Sequence, residues 1–435
     1  MSNKDMGHAI FPPSLRFPEF ALENEWATEK LGEIAELVTE KTGDKKIALM
    51  SITSGIGLVS QMEKFGREIA GSSYKNYVVI RKNDYAYNKS ATKEYPEGFI
   101  AMFDGDSLGA VPNSIFTCFR IKDERIHKIY LNYLFSSNLH GKWLRRFLTV
   151  GARAHGSLNI NNDDLFALPI PMPMGTRSFS EQQKIVDCLS ALDELIKAQS
   201  GKIEALKRYK KGLAQELFPS EGESVPKRRF PEFEDAPGWR VSNLGDVASV
   251  SSGGTPSRTK HEYWNGNVPW ITTTLIDFNR ITSANEFITD VGLRNSSAKK
   301  FPQGTILMAM YGQGKTRGKV AILGINAAIN QACAAITLHK GMNEEFVYQL
   351  LASRYENIRK VSNSGGQENL SGELVKKIPL SYPDIESGEQ ERIANCLSSV
   401  DENITAQSQK LDALRAHKKA LIQGLLPPSG EVEHG

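Results

Sequence analysis

The sequence predicts an α+β chain: two duplicated mixed α/β domains separated by two long antiparallel coiled-coil helices, with pseudo-two-fold symmetry. Three observations predict it. First, apolar residues step by four and three through Ile185, Leu189, Leu192, Ile196, Gln199, Ile203, Leu206, Lys210, Leu213 and Leu217, a period of 3.5 that suits a narrow helix–helix seam. Second, the seam recurs 208 residues later as Ile393, Leu397, Val400, Ile404, Gln407, Leu411, Leu414, Lys418, Leu421 and Leu425. About half of the aligned positions from Glu181/Glu389 to Pro219/Pro427 are identical, among them Cys188/Cys396 and Asp193/Asp401. Third, a domain entrance also repeats. Arg16-Phe17-Pro18-Glu19-Phe20, Trp26 and Leu31-Gly32-Glu33-Ile34-Ala35 return 213 residues on as Arg229-Phe230-Pro231-Glu232-Phe233, Trp239 and Leu244-Gly245-Asp246-Val247-Ala248.

Taken in order, the first domain spans 15–179 and its helix 180–218; the second spans 228–387 and its helix 388–426. Within the domains, Tyr77 to Ile80, Gly98 to Phe103, Ser114 to Phe119, Thr305 to Met310 and Lys319 to Leu323 are short apolar or β-branched runs bounded by turn residues, so they read as strands. An amphipathic helix over Lys128 to Phe147 matches one over Glu344 to Val361, with Tyr130/Phe346 and Leu134/Leu350 in step. A Gly-rich loop follows each (151–157 and 364–367), then a Pro-punctuated strand leads into the heptad helix. The middles otherwise diverge, so one frame presents two different surfaces. The entrance absent after the second helix can be supplied by the first one, which predicts a ring with the chain ends close together. About 37 residues of helix make a rod on the order of 55 Å. Antiparallel pairing sets Gln199 near Leu411 and Gln407 near Ile203, with Lys210 and Lys418 either fixing register or snorkelling to water.

Composition is that of an ordinary globular protein, with 24% charged and 40% hydrophobic residues. No apolar run is long enough for a membrane span, and the four cysteines show no paired spacing, which fits reduced packing residues in the cytoplasm. The net charge is only +3, yet from Gly254 to Val320 nine Lys or Arg face four Asp or Glu, a local +5. Lys142, Arg145, Arg146 and Arg153 form a second cluster. Such patches suit a phosphate backbone. Candidate DNA contacts are Lys89, Lys93, Arg153 and His155 in the first domain, and Arg258, Lys260, Gln313, Lys315, Arg317 and Lys319 in the second.

Ala309 to Thr316 ends in Gly-Lys-Thr and fits a relaxed phosphate-binding loop, but β-type residues Val320 to Leu323 follow where a helix is required. A hairpin tip presenting Gln313, Lys315, Thr316, Arg317 and Lys319 is the better reading. The eight histidines have no metal-ligand spacing, and no nucleophile elbow is present. No metal site, catalytic residue or cofactor is nominated.

The duplicated entrances, Gly253-Gly254-Thr255-Pro256-Ser257, Val268-Pro269-Trp270-Ile271 and the Glu-Gln-x-x-Ile openings of both helices resemble the DNA specificity subunit of Type I restriction-modification systems. The resemblance runs from about Leu15 to Pro427. It implies two target recognition domains, each reading half of a bipartite asymmetric site in double-stranded DNA. It implies spacer helices that dock two methyltransferase subunits, with restriction (motor-nuclease) subunits joining the complex. S-adenosylmethionine, ATP and Mg would belong to those partners, and this chain would be a non-catalytic cytoplasmic subunit. Two rivals are a coiled-coil scaffold protein with incidental basic patches and an NTPase using Lys315.

Overall fold

The computed structural model describes residues 9–10, 12–22, 25–53, 57–68, 73–148, 156, 158–312, 315–360 and 369–427. The chain divides into two compact units, residues 1–198 with 411–435 and residues 199–410. Each long helix therefore contributes to both, Ser178–Leu217 changing unit after Ala198 and Glu389–Leu425 after Lys410. Among the described residues no helix is long and apolar enough to cross a membrane.

The two units share one strand plan despite their dissimilar middles. In the first, Ala35–Leu37, Phe116–Ile121, Tyr85–Asn88 and Phe99–Met102 lie side by side, all antiparallel. In the second, Ala248–Ser252, Cys333–Leu338, Ile306–Ala309 and Val320–Leu323 take the same order and directions, with Arg280–Ile281 added at the edge. Another sheet also recurs. Gly57–Ser60, Ala48–Thr53, Gly109–Val111 and Val78–Ile80 correspond to Glu286–Ile288, Trp264–Ile271, Ala327–Ile329 and Lys300–Phe301, each set containing one parallel pair at its centre. Val78–Ile80, Tyr85–Asn88, Ile306–Ala309 and Val320–Leu323 are almost wholly buried, which is why their sequences are apolar runs without alternation.

The framework residues repeat because each makes the same contact in both units. Glu33 and Asp246 close one-turn helices by accepting the Lys30 and Asn243 N–H at 3.0 and 2.9 Å. Arg16 grips Glu181 through two bonds of 2.8 Å, and Arg229 grips Glu389, with both side chains nearly buried. Gln182 accepts the N–H of His127 at 2.9 Å, and Gln390 that of Asn343 at 3.0 Å. The Glu-Gln opening of each long helix is therefore its socket for the entrance and for the domain's own helix. The entrance also meets the far end of a long helix: Leu15 N–H donates to Gly424 O at 2.9 Å, and Arg228 N–H to Glu216 O at 3.0 Å. These pairs are repeat equivalents, so within the first unit the N-terminal entrance does complete the second helix.

Every seam residue is buried or partly buried, whereas Leu195 and Tyr209, off the seam, are exposed. Lys210 pairs with Asp401 at 2.6 Å while Gln199 donates to Gln407, so residue numbers rise on one helix as they fall on the other and the helices run antiparallel. Asp193 pairs with Lys418 in the first unit. Both lysines are thus held by carboxylates rather than released to water. Gln199 Nε2 lies 2.9 Å from the Gln407 carbonyl and 3.0 Å from its Oε1. The two glutamines bond to each other, because an amide buried at 7% exposure needs a polar partner. The expected single helices also break. Lys128–Ser136 ends before Asn138, which takes φ 62°, and Leu139–Leu144 follows; Glu344–Ser353 ends at Arg354 before Tyr355–Lys360. At Asn138 the left-handed conformation ends the ladder of helical bonds and turns the chain, whereas Arg354 keeps a negative φ of -93°.

Changing Gln199 and Gln407 together to Leu removes both members of a partly buried polar pair, so the urea midpoint is expected to rise, while Gln199→Leu alone gains less. Asp401→Ala strands Lys210, which has only 20% side-chain exposure, and is expected to cost about 1–2 kcal/mol in chemical denaturation. Adding Lys210→Met is expected to recover only the lysine's share of that loss, since Gln349 Nε2 still loses its bond to Asp401.

Candidate nucleic-acid interface

In each unit several connections are hydrogen-bonded to one another at one end of the sheets. In the second, Gly254 N–H donates to Ile329 O at 3.0 Å, Met310 N–H to Ala332 O at 2.9 Å, and Leu370 N–H to Met310 O at 3.0 Å. In the first, Lys89 N–H donates to Ile115 O at 2.9 Å and Leu158 N–H to Lys89 O at 2.7 Å, the equivalents of the last two. A hairpin connection therefore occupies the same place in both, residues 89–98 in the first and, among the described residues, 310–312 and 315–319 in the second. Lys315 and Thr316 lie in the turn 315–318, which is followed by the strand Val320–Leu323 and not by the helix that a phosphate-binding loop requires. Among the described residues no three His, Cys, Asp or Glu side chains are grouped to hold a metal ion.

Gly253 and Gly254 serve packing. A Cβ on Gly253 would stand 1.9 Å from Ile329 O, and one on Gly254 2.2 Å from Ser297 Oγ. Buried Trp270 donates its indole N–H to Gly254 O at 3.0 Å. The two apolar motifs therefore hold one loop against the sheet, and only a residue without a side chain allows that approach.

The structure brings Lys89 and Lys93 into one hairpin loop and Lys315, Arg317 and Lys319 into its counterpart. Lys93 and Lys315 are exposed, and Lys89 is half-buried. Arg317, expected at an open tip, is instead buried at 9% exposure and donates to Arg359 O at 2.8 Å. Its guanidinium satisfies a helix-end carbonyl and ties the loop to Tyr355–Lys360. Lys319 pairs with Asp277 at 2.6 Å and lies 6.0 Å from the Phe278 ring. On the other loop, Arg258 places both terminal nitrogens on Glu286, at 2.5 and 3.1 Å, and stacks 3.7 Å from the Trp264 ring centre. The ion pair holds the Glu286 carboxyl below its usual range. Lys260 donates to Tyr263 Oη at 3.0 Å. Gln313, Arg153 and His155 lie outside the described residues.

One pair escaped the sequence reading. Glu97, only 2% exposed, accepts Arg145 Nε at 2.7 Å, while the Arg145 side chain is 63% exposed. A buried carboxylate thus fixes an exposed guanidinium beside the 89–98 loop. The Lys142, Arg145 and Arg146 cluster was the available signal, but nothing in the sequence links it to Glu97 across 48 residues.

Residues 23–208 and 237–416 match the family described as Type I restriction modification DNA specificity domain. The chain is 30% identical over 181 residues to the Type I restriction enzyme MjaIX specificity subunit of Methanocaldococcus jannaschii, covering 40% of this chain and 41% of that one. It is 26% identical over 247 residues to the EcoR124I/EcoR124II specificity subunit of Escherichia coli, covering 56% and 57%. The chain thus spans about half the length of these curated relatives. Its fold is that of the Type I restriction-modification S subunit from M. genitalium, with a TM-score of 0.55 and 14% identity over 96% of this chain and 99% of that one. A chain from a type I R-M complex gives a TM-score of 0.58 at 16% identity, covering 93% and 98%.

If Lys315 meets phosphate, Lys315→Ala is expected to weaken DNA binding equally for all sequences and to reduce the slope of log K against log salt by about 1. Arg317→Ala is expected to lower thermal stability instead, since it removes a buried donor. Titrations at several salt concentrations, alongside melting curves, distinguish the two.

Proposed function

The chain belongs to the Type I restriction modification DNA specificity family, and we propose that it is the sequence-reading subunit of such a system. Each unit reads one half of a bipartite, asymmetric site in double-stranded DNA. The long helices fix the distance between the halves and dock two methyltransferase subunits, with restriction subunits completing the complex in the cytoplasm. Adenine methylation and cleavage, with their S-adenosylmethionine, ATP and Mg, reside in those partners, and this chain carries no catalytic residue of its own.

One observation supports this reading above others. Two domains with the same strand plan and the same framework contacts carry unrelated residues on equivalent loops, as two readers of different sequences require. Lys89, Lys93, Arg153, His155, Lys260, Gln313, Lys315 and Lys319 are proposed to lie along the DNA, mostly against phosphate, where positive charge gives affinity and no sequence information. Arg258 must exchange Glu286 for a guanine to read one, and Arg317 acts by holding its loop. A scaffold with incidental basic patches would confer no sequence preference.

Half-sites entered from one face of the duplex are centred about one turn apart, roughly 34–36 Å. A four-residue helical insertion after Leu217 lengthens the rod by about 6 Å, so the non-specific spacer is expected to grow by one or two base pairs while both half-sites persist. Sequencing of methylated sites in cells expressing the variant with its methyltransferase reads this directly. Full activity with an unchanged spacer would refute the ruler.

A further inference from the structure

The second unit's charged candidates leave a question of chemistry. Phosphate contacts position a protein on DNA, whereas discrimination between bases comes from donor and acceptor pairs aimed at base edges. Here Arg258 is occupied bidentately by Glu286, Lys319 by Asp277, and Arg317 is buried. At the same loop cluster, however, a neutral planar amide stands exposed. It is Gln331, in the turn 330–332 that joins Ala327–Ile329 to Cys333–Leu338.

Its backbone is held on both sides. Asn330 N–H donates to Ile271 O at 2.9 Å, Asn330 Oδ1 accepts Ala332 N–H at 3.1 Å, and Ala332 O accepts Met310 N–H at 2.9 Å. The turn is therefore closed by Asn330, and the Gln331 amide is not spent on it. The Thr255 hydroxyl donates to Gln331 Oε1. Thr255 sits in turn on the loop pinned by Gly253 and Gly254 against Ile329 and Ser297. That bond leaves Oε1 one lone pair and Nε2 both of its hydrogens. A side chain with several free torsions is thus oriented before any ligand arrives, which reduces the ordering cost of binding.

We propose that Gln331 reads an adenine in the half-site of the second unit, donating from Nε2 to N7 and accepting from the N6 amino group at Oε1, with Thr255 as its positioning residue. This pairing is the bidentate match of a glutamine amide to an adenine's major-groove edge. The equivalent turn of the first unit, Pro112 to Ile115, exposes Asn113 and Ser114 instead, as a reader of a different half-site would. The inference rests on the DNA-reading function proposed above.

The test compares wild-type chain, Gln331→Ala, Thr255→Val and Thr255→Ser, each expressed with its methyltransferase in cells lacking other adenine methylation, by sequencing all methylated sites. In Gln331→Ala one adenine-requiring position of one half-site becomes degenerate, its preference falling by on the order of 5- to 150-fold, and the other half-site is unchanged. Thr255→Val relaxes the same position, and Thr255→Ser restores it. Unchanged half-sites in Gln331→Ala, or relaxation at a position that does not require adenine, overturn the assignment while the wild-type motif leaves the DNA-reading function intact. If wild type itself methylates no defined motif, that function fails and the assignment with it. Should Gln331→Ala methylate nothing, binding of the purified complex to duplexes substituted at each half-site pair decides. Discrimination lost at one adenine position upholds the role, and discrimination retained throughout overturns it.

Discussion

Near the first third of each long helix an aspartate takes a lysine from the other helix, Asp193 from Lys418 and Asp401 from Lys210. Ion pairs of this exposure contribute modestly to stability, but only antiparallel helices in one register can form both. Each aspartate also accepts a bond from its own domain, Asp193 from Tyr133 Oη and Asp401 from Gln349 Nε2, both at 2.7 Å. Register and domain docking therefore share one carboxylate. A slip of the seam would break the lysine contact and leave the domain's polar group with an altered partner, a penalty that falls on buried groups far more than on exposed ones.

The remaining framework follows the same rule of paired use. Arg16 and Arg229 face outward from their entrances to bury a glutamate, and Lys184 and Arg392 lie over the rings of Phe17 and Phe230 at 5.7 and 4.2 Å. Such contacts depend on side-chain identity, so the residues that make them remain alike in both repeats. Strand pairing in the middles depends on backbone bonds and on apolar volume, which many sequences satisfy.

That difference explains what could be read from the sequence. The helices, entrances and hairpin strands were legible because their periodicity or identity is carried by the residues themselves. The common strand order of the two middles was not, since Val78-Val79-Ile80 and Lys300-Phe301 share a place in the sheet without sharing a residue. In the candidate interface, charge drew attention to one hairpin loop in each unit. It could not reveal that Arg317 is turned inward, that Arg258 is claimed by a glutamate 28 residues away, or that Glu97 holds Arg145, because those are tertiary contacts between loops. The helix break at Asn138 was also hidden, as a lone Asn within an amphipathic pattern is compatible with either outcome.

The exchange of helix halves bears on how the protein is made. On a ribosome, domains close from the N-terminal side as the chain emerges. Here Ile185 and Leu189 of the first unit pack in one core with Leu425 and Leu426, which emerge only after the whole of residues 199–410. The second unit has all of its parts in one continuous stretch, so it can close as soon as that stretch is released. The unit begun first is thus finished last. Throughout that interval the nascent chain carries an open apolar seam of the kind that chaperones hold.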